Sequence, residues 1–162
     1  MEALYAQDRN PIIDLLSVEG IKALVESLPI IKDSPLDIDA RLKAQYGAWL
    51  CGLSLGSVGM SLHHKLCHTI GGSFNMPHAE THTTILPHAL AHNAPTVPEA
   101  MGRLADVLPE SNGEAIRGLN NLLARLNVTR NLKAFGFEED YIGIAADIVL
   151  NRQPLVSHVV MH

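Results

Sequence analysis

Residues 59–82 of the chain read GMSLHHKLCHTIGGSFNMPHAETH, and they decide how it folds. Two histidine pairs occur in this segment, His64 with His68 and His78 with His82. Because an α-helix has about 3.6 residues per turn, side chains four residues apart lie on the same helix face. Each pair therefore predicts a helix that presents two imidazoles side by side.

A turn is predicted between the two pairs. Gly71-Gly72 is typical of a helix C-terminus, and Pro77, which follows Asn75-Met76, is typical of a helix start. A connection this short makes the two helices pack against each other. We therefore expect His64, His68 and His78 to line one concave site. The second helix runs on to Pro87, which we expect to kink or divide it.

The rest of the chain also follows helical periodicity. Asn10-Pro11 predicts a helix that ends before Pro29, and Ser34-Pro35 predicts the start of the next one. Further helices are predicted at residues 98–107, 114–126 and 138–150. No run alternates apolar and polar residues with turn residues at both ends, so we expect no β-sheet. The predicted fold is a single all-α domain.

One uncharged stretch, residues 46–62, invites comparison with a membrane span. It is shorter than the roughly 20 apolar residues that a spanning helix needs, and it is rich in Gly and Ser. We therefore expect this stretch to form a helix buried in the protein core rather than one in a membrane.

Composition narrows the function classes. The 162 residues are 47% hydrophobic and 18% charged, which is enough apolar surface for a real core. The net charge of −5 does not indicate a protein that binds nucleic acid or an anionic membrane, since phosphate binding needs clustered positive charge. Two cysteines cannot make a disulfide scaffold, and no secretory signal pattern opens the chain, so we expect a cytoplasmic protein.

The clustered histidines point to chemistry. Seven of the nine fall between His63 and His92. Neutral imidazole is a good ligand for zinc, iron, nickel and copper. A ligating ring usually donates its second N–H to an acceptor, for which Glu80 and Asn75 are nearby candidates. Surface or helix-capping histidines remain the alternative interpretation.

The other histidines are not expected to belong to the site. His63 is offset by about 100° from His64 on a helix, so we expect it to pack or to face water rather than share the site. His88 and His92, beyond the proline, are expected to be structural or exposed. His158 and His162 are assigned no role.

Other catalytic signatures are absent from the sequence. There is no His-Glu-x-x-His zinc-protease motif, no Gly-x-Ser-x-Gly nucleophile elbow after a strand, and no glycine-rich phosphate cradle. Cys67 and His68 are adjacent and diverge on a helix, so we expect Cys67 to be a small buried apolar side chain.

The 59–82 segment, with Leu86-Pro87-His88 and Asn93 after it, resembles the signature of the iron-dependent alcohol dehydrogenase family. The paired His63-His64 and the run PHAETH at 77–82 are similar to the maleylacetate reductases within that family. The similarity extends from Glu2 to about residue 154, whereas residues 155–162 do not resemble the helix that follows in the family.

The resemblance implies a two-domain architecture, in which an α/β domain that binds NADH or NADPH precedes a helical domain of the dehydroquinate synthase-like fold. Residues 1–162 correspond to the helical C-terminal domain alone, and the N-terminal nucleotide-binding domain is expected to be absent. The positions that match metal ligands are His64 and His78, and His68 matches a histidine beside the nicotinamide and the substrate. Because imidazole supplies protons near neutral pH, His68 and His82 are the candidate catalytic residues.

The implied activity is reduction of maleylacetate to 3-oxoadipate by NADH or NADPH, a step in the degradation of aromatic compounds. The implied metal is Fe or Zn, although this subfamily tends to carry an amide in place of the acidic ligand, which leaves metal dependence open. The implied partners are a small keto acid and a second copy in a homodimer. Two alternatives stay open: a metal-dependent alcohol dehydrogenase of the same family, and a helical remnant without catalytic activity.

Overall fold

The computed structural model describes residues 1–151, and this part of the chain contains helices and no β-strand. The predicted all-α fold is therefore confirmed. Three short 3-10 helices, at Glu2–Tyr5, Ala94–Thr96 and Leu132–Phe135, accompany the α-helices. The α-helices are α1 (Pro11–Asp33), α2 (Ile38–Ser57), α3 (Leu62–Phe74), α4 (His78–Asn93), α5 (Pro98–Val107), α6 (Ala115–Arg125) and α7 (Tyr141–Asn151).

The long helices α1 and α2 form a closely packed hairpin. Asn10 caps α1, where its side chain accepts hydrogen bonds from the backbone N–H groups of Ile12 and Ile13. The two helices lie close together at Gly20 and Gly47, where a Cβ added to Gly47 would be 2.9 Å from the carbonyl oxygen of Gly20. Only glycine leaves room for backbones at this separation.

Two predicted boundaries in the α1–α2 hairpin are wrong. The first helix does not end before Pro29 but continues to Asp33. Pro29 cannot donate one helical hydrogen bond, yet it is buried, so tertiary packing offsets that loss. The second helix starts at Ile38 rather than at Ser34-Pro35, because Asp37 provides the cap by accepting from the N–H of Ala40.

The expectation of a buried α2 is correct for one face only. Gly47, Leu50 and Ser54 are buried against α1. The opposite face carries large apolar side chains in the open, including Ile38 at 71% exposure and Trp49 at 61%. The uncharged stretch therefore belongs to a helix that has one face packed against α1 and one apolar face that is exposed. Within the described residues, no helix combines the length and the apolar character needed to cross a membrane.

The predicted turn between the histidine pairs is confirmed, although α3 runs slightly further than expected. It ends at Phe74 rather than at Gly71-Gly72, and Asn75 terminates it in the left-handed conformation with φ 51°. Asn tolerates this region better than most residues do. Pro77 then starts α4, which Pro87 does not divide.

Two apolar clusters hold the α3–α4 pair in place. The larger one joins the N-terminal 3-10 helix to α4, α5 and α6 through the fully buried side chains of Leu4, Leu90, Leu104 and Leu119. The smaller one packs α7 onto α3 through Ile70, Met76 and Ala145. Residues 1–6 thereby become a fixed part of the domain and lie near the start of α3.

Candidate functional site

Five histidines from α3 and α4 form what we call the imidazole cluster: His63, His64, His68, His78 and His82. His82 lies at its centre. Its ring centroid is 4.2 Å from that of His78, 5.1 Å from His63, 5.2 Å from His64 and 6.1 Å from His68. The structure therefore brings together the four histidines that the sequence singled out, and it adds His63.

The prediction that His63 does not share the site is wrong. His63 is buried, as one half of the expectation had it, but its ring also lies 5.2 Å from the ring of His64 and belongs to the cluster. The offset of about 100° does not remove it from the site, because α4 packs against that side of α3 and brings His82 to it.

The cluster reaches from the interior to the surface. His63 is buried, His64 and His82 are partly buried, and His68 and His78 are exposed. The exposed rings leave the outer end open to a ligand, while the inner rings are shielded from water. Beside His64 and Glu2, a cavity of about 350 Å³ adjoins the cluster, within the size range of small-molecule sites.

Hydrogen bonds fix the inner rings. The Nε2 atom of His63 donates to the carbonyl oxygen of His82 at 2.9 Å, since a carbonyl can only accept. The Nδ1 atom of His64 donates to the carboxylate of Glu2 at 2.6 Å. The Nε2 atom of His82 is buried and has no hydrogen-bond partner among residues 1–151. A buried imidazole nitrogen without a hydrogen-bond partner is unusual in a folded protein. It marks a position where a bound ligand or metal ion would supply the missing partner.

Burial sets the protonation of the inner histidines. Desolvation, followed by repulsion from His63, His78, His64 and His68, lowers the pKa of His82 to about 4. Burial likewise lowers the pKa of His63. Their rings are therefore neutral near pH 7 and keep a nitrogen lone pair, which is the form that binds metal ions.

The carboxylate of Glu2 responds in the opposite way. Burial acts to raise the pKa of Glu2, but hydrogen bonds from the His64 side chain and from the backbone of His63 and His64 outweigh it and hold the pKa below its usual value. Glu2 is thus an ionised acceptor inside the protein.

The donor set suits a transition metal. One nitrogen from each of His63, His64 and His82 lies within 4.8 Å of the others. Nitrogen ligands of this kind fit iron or zinc, and the unpartnered Nε2 of His82 supports the fit. His78, expected as a ligand, is not one of these three, but its ring packs directly on His82.

Sequence reasoning missed Glu2. The acceptors expected for the histidine rings were Glu80 and Asn75, both of which are exposed. Glu2 lies about 60 residues from His64 along the chain, so the contact cannot be predicted from a local pattern of residues.

Cys67, His88 and His92 lie where they were expected. Cys67 is buried, and desolvation raises the pKa of its thiol to about 12, as suits a packing residue. His88 and His92 are exposed on α4. His158 and His162 fall outside the described residues.

Comparison with known proteins decides the family. Residues 1–159 match the sequence profile described as Fe-containing alcohol dehydrogenase family, C-terminal. The chain belongs to the iron-containing alcohol dehydrogenase family. It is 45% identical over 165 residues to maleylacetate reductase of Pseudomonas sp. (strain P51), a match that covers 99% of the chain and 46% of that protein. It is 50% identical over 149 residues to maleylacetate reductase of Burkholderia cepacia, covering 92% of the chain and 42% of that protein.

Solved structures of this family share the fold. The maleylacetate reductase from Agrobacterium tumefaciens superposes with a TM-score of 0.89 at 47% identity, covering 94% of this chain and 43% of that one. The enzyme from Rhizobium sp. strain MTP-10005 gives 0.88 at 46% identity, with the same two coverages. The chain thus spans less than half the length of the family members it matches.

Proposed function

We propose that this chain is the helical domain of an NAD(P)H-dependent oxidoreductase that reduces maleylacetate to 3-oxoadipate. The imidazole cluster carries the proposal, because it gathers five imidazole rings, among them the neutral rings of His63 and His82, at an open site in a domain 45–50% identical to maleylacetate reductases. NADH or NADPH would be held mainly by an α/β domain of the intact enzyme, which we further propose to be a homodimer.

The reaction needs two things from the helical domain. Hydride from the nicotinamide adds to the alkene carbon β to the ketone, and the electron pair moves onto the ketone oxygen as an enolate. A proton then adds to the α carbon, so that the carbon–carbon double bond is reduced and the ketone is restored. The domain must therefore stabilise negative charge on an oxygen and supply a proton.

The geometry suggests a division of roles. His68 is exposed at the open edge of the cluster, so it is the residue we propose to donate the proton and to lie beside the nicotinamide. His82 is neutral at the centre, so we propose that it orients the reacting oxygen as an uncharged imidazole. Both roles require contact with substrate or cofactor.

A metal ion could also be held by rings of this cluster. We propose His64 and His78 as its ligands, with the Nε2 atom of His82, whose ring lies close to both of theirs, as a third donor. Iron or zinc bound there would act as a Lewis acid on the ketone oxygen. The carboxylate hydrogen-bonded to His64 keeps that ring oriented for this purpose.

The test joins this chain to the nucleotide-binding domain of a similar maleylacetate reductase and follows NADH oxidation with maleylacetate. We expect turnover, and a loss of at least about 100-fold in kcat with His68→Ala. His92→Ala, an exposed histidine outside the cluster, is the matched control and should leave the rate unchanged. Reduction of simple aldehydes but not of maleylacetate would favour the alcohol dehydrogenase alternative, and a folded but inactive fusion would favour the non-catalytic one.

A further inference from the structure

Helix α3 starts without a cap from its own segment. Ser61 occupies the N-cap position, but its side chain accepts no capping hydrogen bond. The carboxylate of Glu2 takes over this task. It accepts from the backbone N–H of His63 at 2.8 Å, of His64 at 3.3 Å and of Ser61 at 3.4 Å. A residue distant in sequence thus satisfies the free N–H groups at the start of the helix.

The same carboxylate binds the His64 ring. An ionised carboxylate has no hydrogen to give, so the Nδ1 atom of His64 must carry the proton in the 2.6 Å contact. When His64 is neutral, its lone pair is then on Nε2, the nitrogen on the far side of the ring from Glu2. A charge-assisted hydrogen bond this short also restricts rotation of the ring.

The surroundings of Glu2 keep it in place. Its side chain is only 2% exposed, so the ionised group depends on the donors around it. Three of those donors are backbone groups at the positive end of the α3 dipole, and they cannot turn away as a side chain would. Glu2 is therefore a rigid reference point against which one ring of the cluster is aligned.

We propose that Glu2 is a positioning residue, which holds His64 as the Nδ1–H tautomer with Nε2 directed at the imidazole cluster and caps α3 at the same time. Its relevance to catalysis rests on the proposed function, whereas the tautomer itself does not. The capping of α3 and the orientation of the His64 ring are thereby coupled, because the same carboxylate binds both.

The first measurement is the tautomer of His64, by long-range 1H–15N NMR on the full metal-free chain at a pH of about 8, where histidines are neutral. We expect the proton on Nδ1 in the wild type. In Glu2→Gln the amide oxygen can still accept from the backbone, but its NH2 group is a donor. That donor favours His64 with a bare Nδ1, so the proton should move to Nε2.

The matched control is Asp14→Asn. Asp14 is another buried carboxylate, paired at 2.6 Å with both Arg9 and Arg103, and within residues 1–151 its side chain forms no hydrogen bond or ion pair with a histidine of the cluster. Its substitution tests whether loss of any buried carboxylate disturbs His64. We expect the wild-type tautomer in this variant.

The second measurement is binding of Zn2+ alone, by calorimetric titration. We expect Glu2→Gln to weaken zinc binding by about 10–100-fold, Glu2→Asp to recover part of that loss, and Asp14→Asn to match the wild type. A wild-type His64 with its proton on Nε2 would overturn the proposal even if Glu2→Gln does not fold. Equal weakening by Asp14→Asn would also overturn it. A correct tautomer with no zinc binding in any variant would instead count against the proposed metal site and leave the positioning role standing.

Discussion

Replacement of Gly47 by alanine should destabilise the α1–α2 hairpin. The added Cβ would lie 2.9 Å from the carbonyl oxygen of Gly20 and 3.0 Å from carbon atoms of Ala23 and Leu24. Ordinary contacts between such atoms begin at about 3.5 Å, so the two helices would have to separate by roughly half an ångström. Two of the three obstructing groups, the Gly20 backbone and the Ala23 Cβ, cannot rotate out of the way.

The magnitude follows from a comparison within the same helix. Overpacking of this kind costs about 1–3 kcal/mol, while replacing glycine by alanine inside a helix returns about 1 kcal/mol. For Gly52, also in α2, no described residue has an atom within 4 Å of the added Cβ, so Gly52→Ala gains helix stability without the packing cost. The difference between the two variants therefore isolates the packing cost, about 1–3 kcal/mol in the free energy of unfolding.

The assay is urea unfolding followed by circular dichroism, with thermal unfolding as a second probe. For a chain of this size we expect Gly47→Ala to melt about 3–10 °C below Gly52→Ala. Equal stability of the two variants would refute the argument that the hairpin depends on backbone contact at Gly47.

Further outcomes are expected at the imidazole cluster and for the chain as a whole. The free energy of unfolding should fall by about 1–2 kcal/mol as the pH drops from about 6.5 to about 4, because the unfolded chain protonates His82 at its ordinary pKa of 6.5 while the folded chain does so only at about 4. Urea unfolding over that pH range should show a flatter profile in His82→Gln, and an unchanged slope would contradict the assignment. His78→Ala should weaken zinc binding at least about 10-fold in calorimetric titration while His92→Ala does not, and the wild-type chain by itself should lose its zinc to a chelator because a stable site prefers about four fixed ligands. The 162 residues alone should not reduce maleylacetate with NADH, since they contain no dinucleotide-binding motif; turnover of about 1 per second or faster would refute this.

Much of the local structure could be predicted because its signals are local. The histidine pairs, the turn near Asn75-Met76 and the start at Pro77 all depend on residues within a few positions of one another. Periodicity and backbone preference suffice for such features. The errors at Pro29 and at Ser34-Pro35 arose where tertiary packing or a later cap outweighed a local signal.

The surface of α2 shows a different limit. An uncharged helix can be buried on all sides or can present an apolar face to something outside the domain, and the two cases look alike in sequence. The structure shows that Trp49 and its neighbours on that face are exposed. Only the packing of α1, which covers one side of α2 and not the other, distinguishes these cases.

Residue types and their spacing were enough to predict that the chain is helical and that His64, His68, His78 and His82 come in pairs on two adjacent helices, since a repeat of four residues is a property of the helix. That His63 joins them and that Glu2 binds His64 followed only from the way the helices pack. The contact of His63 with His82 joins α3 to α4, and the contact of Glu2 with His64 joins residues about 60 positions apart, which the core around Leu4 and Leu90 holds near the α3–α4 pair. Spacing along a chain carries no information about such contacts, because they depend on how the helices pack.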